Sequence, residues 1–328
     1  MAEHCSSVVV VGYGMGRYHC GIIRQVEGLK LGGVCDLDPE KRARAEQEQE
    51  VRTYASLDEV LSDPEVHAVT LATPHDTHWA LAVRAMEAGK HVVVEKVMCL
   101  TVEEADAMIA ARDHNRVLLT CFHNRRWDPD YLTVRQVIDS GLLGEVFHVE
   151  SSIEGFGPPL GWRRERAHGG GQLTDWGAHL VDQALRLMPA RPTDVWCRFQ
   201  HRVWETDVEN MAQVVIGFEN RAVFNIFLSD ISRLRKPRWY ILGEKGALIK
   251  ETLGTAEDRV RIKTEVAGLT AELTIPTVSG DWRDFYRNLA TALRGEAPLA
   301  VLPDEVRENV RVMEAAFRSA ETGQVVKL

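Results

Sequence analysis

Residues 8–19 read VVVVGYGMGRYH, and this stretch decides the fold. Four consecutive valines suit a strand buried on both faces, as in a parallel sheet covered by helices. Gly12, Gly14 and Gly16 follow at every second position, and a helical pattern then runs to about residue 26. Glycines between a strand and a helix N-terminus let a pyrophosphate come close to the backbone and meet the first amides of the helix. The spacing is GxGxG, with Arg17 where the last glycine of the commoner GxGxxG falls. A second strand spans residues 31–36 and ends on Asp36, 24 residues past Gly12. An acid there accepts hydrogen bonds from a ribose 2′-hydroxyl and repels a 2′-phosphate. Leu37 comes next rather than an arginine, so NAD is expected over NADP.

Outward from this turn the alternation continues. Strands are predicted at 66–72, 91–95 and 117–121. Helices are predicted at 39–50, with Pro39 in the first turn, at 78–88 before Gly89, and from a Thr101/Glu104 capping box to residue 115. Strand and helix in short alternation mean an α/β doubly wound parallel sheet over residues 1–122. The rhythm then changes. Helices at 129–140 and 173–188 precede strands at 195–203, 211–218, 222–228, 239–242, 247–250, 260–264 and 271–275. Hairpin signals at Glu219-Asn220 and 243–246 point to an open, mostly antiparallel sheet, and helices at 282–294 and 303–321 close the chain.

The 328 residues suit two domains, and 45% apolar with 27% charged residues is a globular composition. A net charge of −9 disfavours nucleic acid and anionic membranes as partners. Glu3 and His4 replace the basic start of a signal segment, and no apolar run is long enough to span a bilayer. Six isolated cysteines without a CxxC pair fit a reducing, cytoplasmic setting. No metal is expected: His75 and His78 have a pair's spacing but no third ligand nearby.

The chain resembles the Gfo/Idh/MocA dehydrogenases. The resemblance rests on the glycine turn ending in His19, on Thr73-Pro74-His75-Asp76-Thr77-His78, and on residues 89–96, GKHVVVEK. Further along it rests on Asn124-Arg125-Arg126-Trp127, Ser140-Gly141 with Gly144-Glu145, the glycines 169–171, and Asp175 with His179. Val97 stands where the family has proline after Glu-Lys, and His75 where it has asparagine. The resemblance implies a Rossmann NAD-binding domain at 1–122. It also implies a substrate-binding and oligomerising α/β domain at 123–328, in a homodimer or homotetramer. It implies cofactor contacts from Gly12, Gly14, Met15, Gly16, Arg17, Asp36, Thr73, Pro74, His75, His78, Glu95 and Lys96, with His75 near the nicotinamide and Glu95 on a ribose hydroxyl.

Oxidising a secondary alcohol needs a base for the hydroxyl proton and a charge beside the developing alkoxide. Lys96 ends a parallel strand, where open α/β sheets bind ligands, and supplies that point charge. Asp175 and His179 lie four apart on the predicted helix, so one face carries both, with Asp175 orienting the imidazole and Asp182 a second possible orienter. Arg126, Trp162, Arg163 and Trp176, with Arg125 and Trp127, offer cationic and aromatic surfaces for a polyol, and His168 is a further pocket candidate. Glycines 169–171 suit either close approach to a ligand or a flexible loop. The expected activity is hydride transfer between NAD and a sugar, sugar derivative or cyclitol. A redox-neutral NAD-dependent glycosidase and a dinucleotide-sensing regulator are the alternatives.

Overall fold

The computed structural model describes residues 5–254 and 258–328, so Glu3 and His4 lie outside the described residues. It divides into two compact units. The first is Met1–His123 with Trp282–Val310, and the second is Asn124–Asp281 with Arg311–Leu328. The linear reading leaves 282–310 with the second part; the structure returns it to the first. The reason is packing: Tyr286 and Phe285, both buried, close around His19 and Phe122 in an aromatic cluster with ring centroids 4.5–5.9 Å apart.

The first unit holds six strands: β1 (Ser6–Val11), β2 (Leu29–Cys35), β3 (Thr53–Tyr54), β4 (Ala68–Leu71), β5 (His91–Val94) and β6 (Leu119–Cys121). All pair in parallel, in the order β3-β2-β1-β4-β5-β6. Its helices are α1 (Gly16–Ile23), α2 (Pro39–Gln49), α3 (Leu57–Ser62), α4 (His78–Glu87) and α5 (Val102–Asn115). Val8, Val9 and Val10 are fully buried, as a doubly covered sheet requires. Thr101 Oγ1 accepts the Glu104 amide at 3.2 Å, while the Glu104 carboxylate returns to the Leu100 amide at 2.8 Å, one residue before the cap. The strand order reverses between β1 and β4, and such a switch point is where open α/β sheets bind ligands beyond the strands' carboxyl ends.

The second unit opens with α6 (Pro129–Asp139) and β7 (Val146–Glu154), continues through α7 (Ala178–Leu187), and adds β8 (Pro192–Gln200), β9 (Met211–Phe218), β10 (Val223–Ser229), β11 (Trp239–Gly243), β12 (Gly246–Lys250), β13 (Arg259–Val266), β14 (Leu269–Pro276) and β15 (Val326–Lys327). Nine strands form one sheet in the order β14-β13-β12-β11-β7-β10-β9-β8-β15, antiparallel except for the β7–β10 pair. The strands on either side alternate as read, but β7 escapes the sequence reading. Glu150, Ser151 and Ser152 interrupt its apolar pattern, yet Ser151 is fully buried. Its hydroxyl is satisfied by buried Arg238, which also pairs with Asp130 at 3.1 Å and donates to Gln183 Oε1 at 2.9 Å. Helix α8 (Arg283–Leu293) belongs to the first unit, and the division at 310/311 falls within α9 (Pro303–Thr322). No helix among the described residues is long and apolar enough to cross a membrane.

Candidate active site

Gly12, at φ +93°, carries the sharp exit from β1; a side chain there would place its Cβ 2.5 Å from the Ala72 carbonyl oxygen. Gly14 faces open space, with nothing within 4 Å of a Cβ. Half-exposed Met15 stands at the N-cap of α1 and provides no side-chain cap, so the turn meets the dinucleotide requirement of an approachable backbone ahead of uncapped helix amides. Asp36 is held in place by this same turn: one carboxylate oxygen accepts the Tyr13 amide at 2.8 Å and the other the Asp38 amide at 2.9 Å. The fold adds what adjacency in sequence misses. The start of α2 brings Lys41 Nζ to 4.0 Å from the Asp36 carboxylate, and Arg42 donates to the Asp36 and Leu37 carbonyls. Arg17, expected on the cofactor, pairs with Glu48 at 2.8 Å.

Glu95 and Lys96 follow β5 directly. Glu95 Oε2 accepts the Lys96 amide at 2.9 Å, and its other oxygen lies 2.8 Å from His19 Nε2. The opposite ring nitrogen of His19 is 2.7 Å from the Tyr286 hydroxyl, itself 3.2 Å from Thr70 Oγ1. A carboxylate only accepts, so His19 Nε2 donates to Glu95, and Tyr286 and Thr70 continue the chain of hydrogen bonds behind it. Burial pushes the Glu95 carboxyl up, but the His19 hydrogen bond and the nearby Lys96 charge outweigh it and hold Glu95 below the usual carboxylate range. This chain of bonds fixes the residue next to Lys96, and nothing in the local sequence announces it.

His78, expected on the cofactor, is fully buried and lies 2.8 Å from the Val97 carbonyl and 2.9 Å from that of Thr73. It therefore struts the turn after β4 to the turn after β5. Burial lowers its pKa, against the two carbonyls that favour the charged ring. Val97 occupies the family's proline position, and the Lys96–Val97 peptide is cis. Thr73 and Pro74 open the short helical turn His75–Thr77, closed by Thr77 Oγ1 on the Pro74 carbonyl at 2.7 Å; His75 is buried there, its ring centroid 5.6 Å from that of His78.

In the second unit the predicted single helix at 173–188 is two elements: a π-helix, Leu173–Gly177, and then α7. Asp175 lies in the wider turn and His179 in the α-helix, so the same-face argument from regular spacing does not carry over. Such π segments concentrate at functional sites. Asp175 is 3.6 Å from Arg163 Nε, and buried His179 has the Trp176 ring edge-on at 6.0 Å. Asp182, the second orienter candidate, takes both prongs of Arg126, at 2.6 and 2.8 Å. Arg126, expected on the substrate, is buried in that pair. Guanidinium groups also cover a face of each expected stacking platform, Arg125 over Trp176 at 4.0 Å and Arg163 over Trp162 at 4.7 Å. His168 is partly exposed, 3.6 Å from Glu165.

A cavity of about 370 Å³ lies in this unit, lined by Arg163, Gln172, Asp175, Trp176, Glu209 and Asp230 among others. Glu209 and Asp230 went unnoticed in the sequence, where each is an ordinary acid beside a strand end. Glu209 is 4% exposed; its carboxylate accepts the Leu173 amide at 2.8 Å, and burial pushes its pKa up to about 7. Gly171, at φ +110°, is required by this acid: a Cβ there would lie 2.6 Å from both carboxylate oxygens. The close approach expected of the glycine run is thus, at Gly171, to the chain's own Glu209. Among the described residues, no group of three or more His, Cys, Asp or Glu is placed to hold a metal ion.

Comparison with known proteins accounts for this arrangement. Residues 6–123 match a family model described as an oxidoreductase family, NAD-binding Rossmann fold, and residues 131–249 match a GFO/IDH/MocA C-terminal domain. The chain belongs to the Gfo/Idh/MocA oxidoreductase family. Among its members, the scyllo-inositol 2-dehydrogenase (NADP(+)) of Bacillus subtilis is 27% identical, over 98% of this chain and 95% of that one. The NAD(+) scyllo-inositol 2-dehydrogenase of the same organism is 34% identical, over 59% and 57%. The crystal structure of an NAD-binding protein from Listeria innocua superposes with a TM-score of 0.92 at 31% identity, over 99% of each chain. The family is thus an NAD-binding one whose inositol dehydrogenases use either dinucleotide.

Proposed function

We propose that this protein is an NAD-dependent dehydrogenase acting on a secondary alcohol of a sugar, sugar derivative or cyclitol. The observation that carries the reading is the geometry at the ends of β1, β2 and β5: an open Gly14, an Asp36 held by the turn's own amide, and Lys96 beside a hydrogen-bonded Glu95. The glycine turn and Asp36 would hold the dinucleotide, which when bound supplies the hydride acceptor. In this reading His179 is assigned the hydroxyl proton, and the Lys96 ammonium the charge that stabilises a developing alkoxide. Asp175 sets the charge around His179 while shared with Arg163. The Asp36 carboxylate supports NAD over NADP, and Lys41 and Arg42 make that preference smaller than a bare acid would give. The inositol dehydrogenases among the relatives support a polyol substrate.

A homo-oligomer built on the second unit's sheet is part of the same proposal. Trp196, Val215, Asn225, Glu150 and Tyr240 are aligned by register across neighbouring strands, all half-buried or exposed, a largely uncharged row that a second copy would cover. Light scattering of the purified protein would report it. The activity is tested with a panel of inositols, hexoses and alditols against NAD and NADP, followed at 340 nm. Reduction of NAD by at least one polyol, more efficient than reduction of NADP, is the expected result. Inertness across the panel with both dinucleotides refutes the reading.

A further inference from the structure

The cavity of the second unit has an unbalanced charge. Each nearby guanidinium already has an acid: Arg125 pairs with Asp128 at 2.9 Å, Arg163 is 3.6 Å from Asp175, and Arg166 pairs with Glu321 at 2.7 Å. Glu209 and Asp230 remain. Among the described residues neither has an ion-pair partner: the Glu209 carboxylate accepts only backbone amides, and the Asp230 carboxylate only the Gln172 side chain. Both acids line the cavity together with Asp175, which is close enough to oppose ionisation of Asp230.

A buried acid without a counter-ion resists further negative charge and favours groups that donate. Hydroxyls satisfy both needs: they donate to a carboxylate and accept from a protonated carboxyl. A phosphate or carboxylate group in this space would face Asp230 at short range in a partly desolvated setting, where like charges repel strongly.

We propose that this cavity selects a polyol carrying no carboxylate, phosphate or nucleotide group, and that Asp230 and Glu209 set this preference. The inference rests on the polyol dehydrogenase reading and narrows its substrate class. Matched pairs test it: an inositol against its monophosphate, and glucose against glucuronate and glucose 6-phosphate. Each is assayed for kcat/KM with both dinucleotides and, in parallel, for binding by calorimetry to protein saturated with reduced dinucleotide. The neutral member of each pair should be favoured by about 10-fold or more in both measurements. Asp230→Asn and Glu209→Gln preserve shape; at pH 8, above the value of about 7 to which burial raises Glu209, each removes a negative charge and should shrink the ratio about fivefold, chiefly by improving the anionic member. Equal or better use of the anionic members by the parent protein overturns the inference, and so do ratios unmoved in both variants. If nothing is turned over, the dehydrogenase reading fails, while the calorimetric ranking still decides the charge preference. Failure of every neutral ligand to bind counts against that preference.

Discussion

Replacing Glu209 by Gln should make the protein more stable at alkaline pH. The folded carboxyl holds its proton up to about pH 7, against an ordinary value of 4.5, because burial penalises its charged form. Folding therefore takes up a proton between those values, and stability falls as pH climbs through that window. At about 1.4 kcal/mol per tenfold change in proton affinity, the loss between pH 5 and pH 8 is roughly 2–3 kcal/mol. The group is 4% exposed, so little of this is lost to solvent screening. Gln keeps an oxygen for the Leu173 amide but does not titrate in this range. Parent and variant should melt at similar temperatures near pH 5. By pH 8 the variant should melt about 5–10 °C higher, the shift expected for a unit of roughly 150–250 residues. Scanning calorimetry of both proteins at pH 5, 6.5 and 8 measures this difference, with all shared titrations cancelling. If the two curves stay parallel across that range, Glu209 is ionised in the folded protein and the account of its burial is wrong.

Other perturbations have equally definite outcomes. Asp36→Ser should narrow the ratio of kcat/KM for NAD over NADP, measured at saturating polyol, and an unchanged ratio would remove Asp36 from cofactor choice. Lys96→Ala should lower turnover by several powers of ten while leaving NAD affinity largely intact by calorimetry, since its charge is assigned to the reacting oxygen; near-normal turnover would move the chemistry elsewhere. His179→Ala should cut kcat by about 10²–10⁴, the usual worth of a positioned base, and remove one ionisation from the pH profile of kcat/KM. Arg126→Ala removes the two-pronged ion pair of buried Asp182 and should cost about 3–5 kcal/mol in urea unfolding.

Much of the first unit was legible because its signals are local. Four buried valines, the glycine turn, the acid ending β2, and Gly89 past the end of α4 each act within a few residues of themselves. The second sheet was legible where apolar and polar residues alternate, as in β9 and β10. It failed at β7, whose buried serine depends on an arginine 87 residues away. The site divides in the same way. The residues aligned with family motifs stand where turns and helix starts put them. The buried pairing of Arg126 was not legible because its partner, Asp182, lies 56 residues on. Glu209 and Asp230 could not be singled out, since burial of an acid is a property of the folded neighbourhood. The π turn at Leu173–Gly177 begins where the Leu173 amide donates to the Glu209 carboxylate, a contact that no helical periodicity encodes.

The return of residues 282–310 to the first unit bears on how the chain is made. His19 and its aromatic partner Tyr286 are 267 positions apart. A ribosome adding about 5–20 residues each second leaves roughly 10–30 s between completing residue 123 and delivering Tyr286. During that interval the N-terminal sheet has its six strands but not the segment that covers His19 and Phe122, and its apolar end is exposed to solvent and to other nascent chains. Any fragment stopped near residue 123 is held permanently in that condition. The natural unit for expression is therefore the whole chain, and holdase chaperones have their opportunity before the last fifty residues emerge.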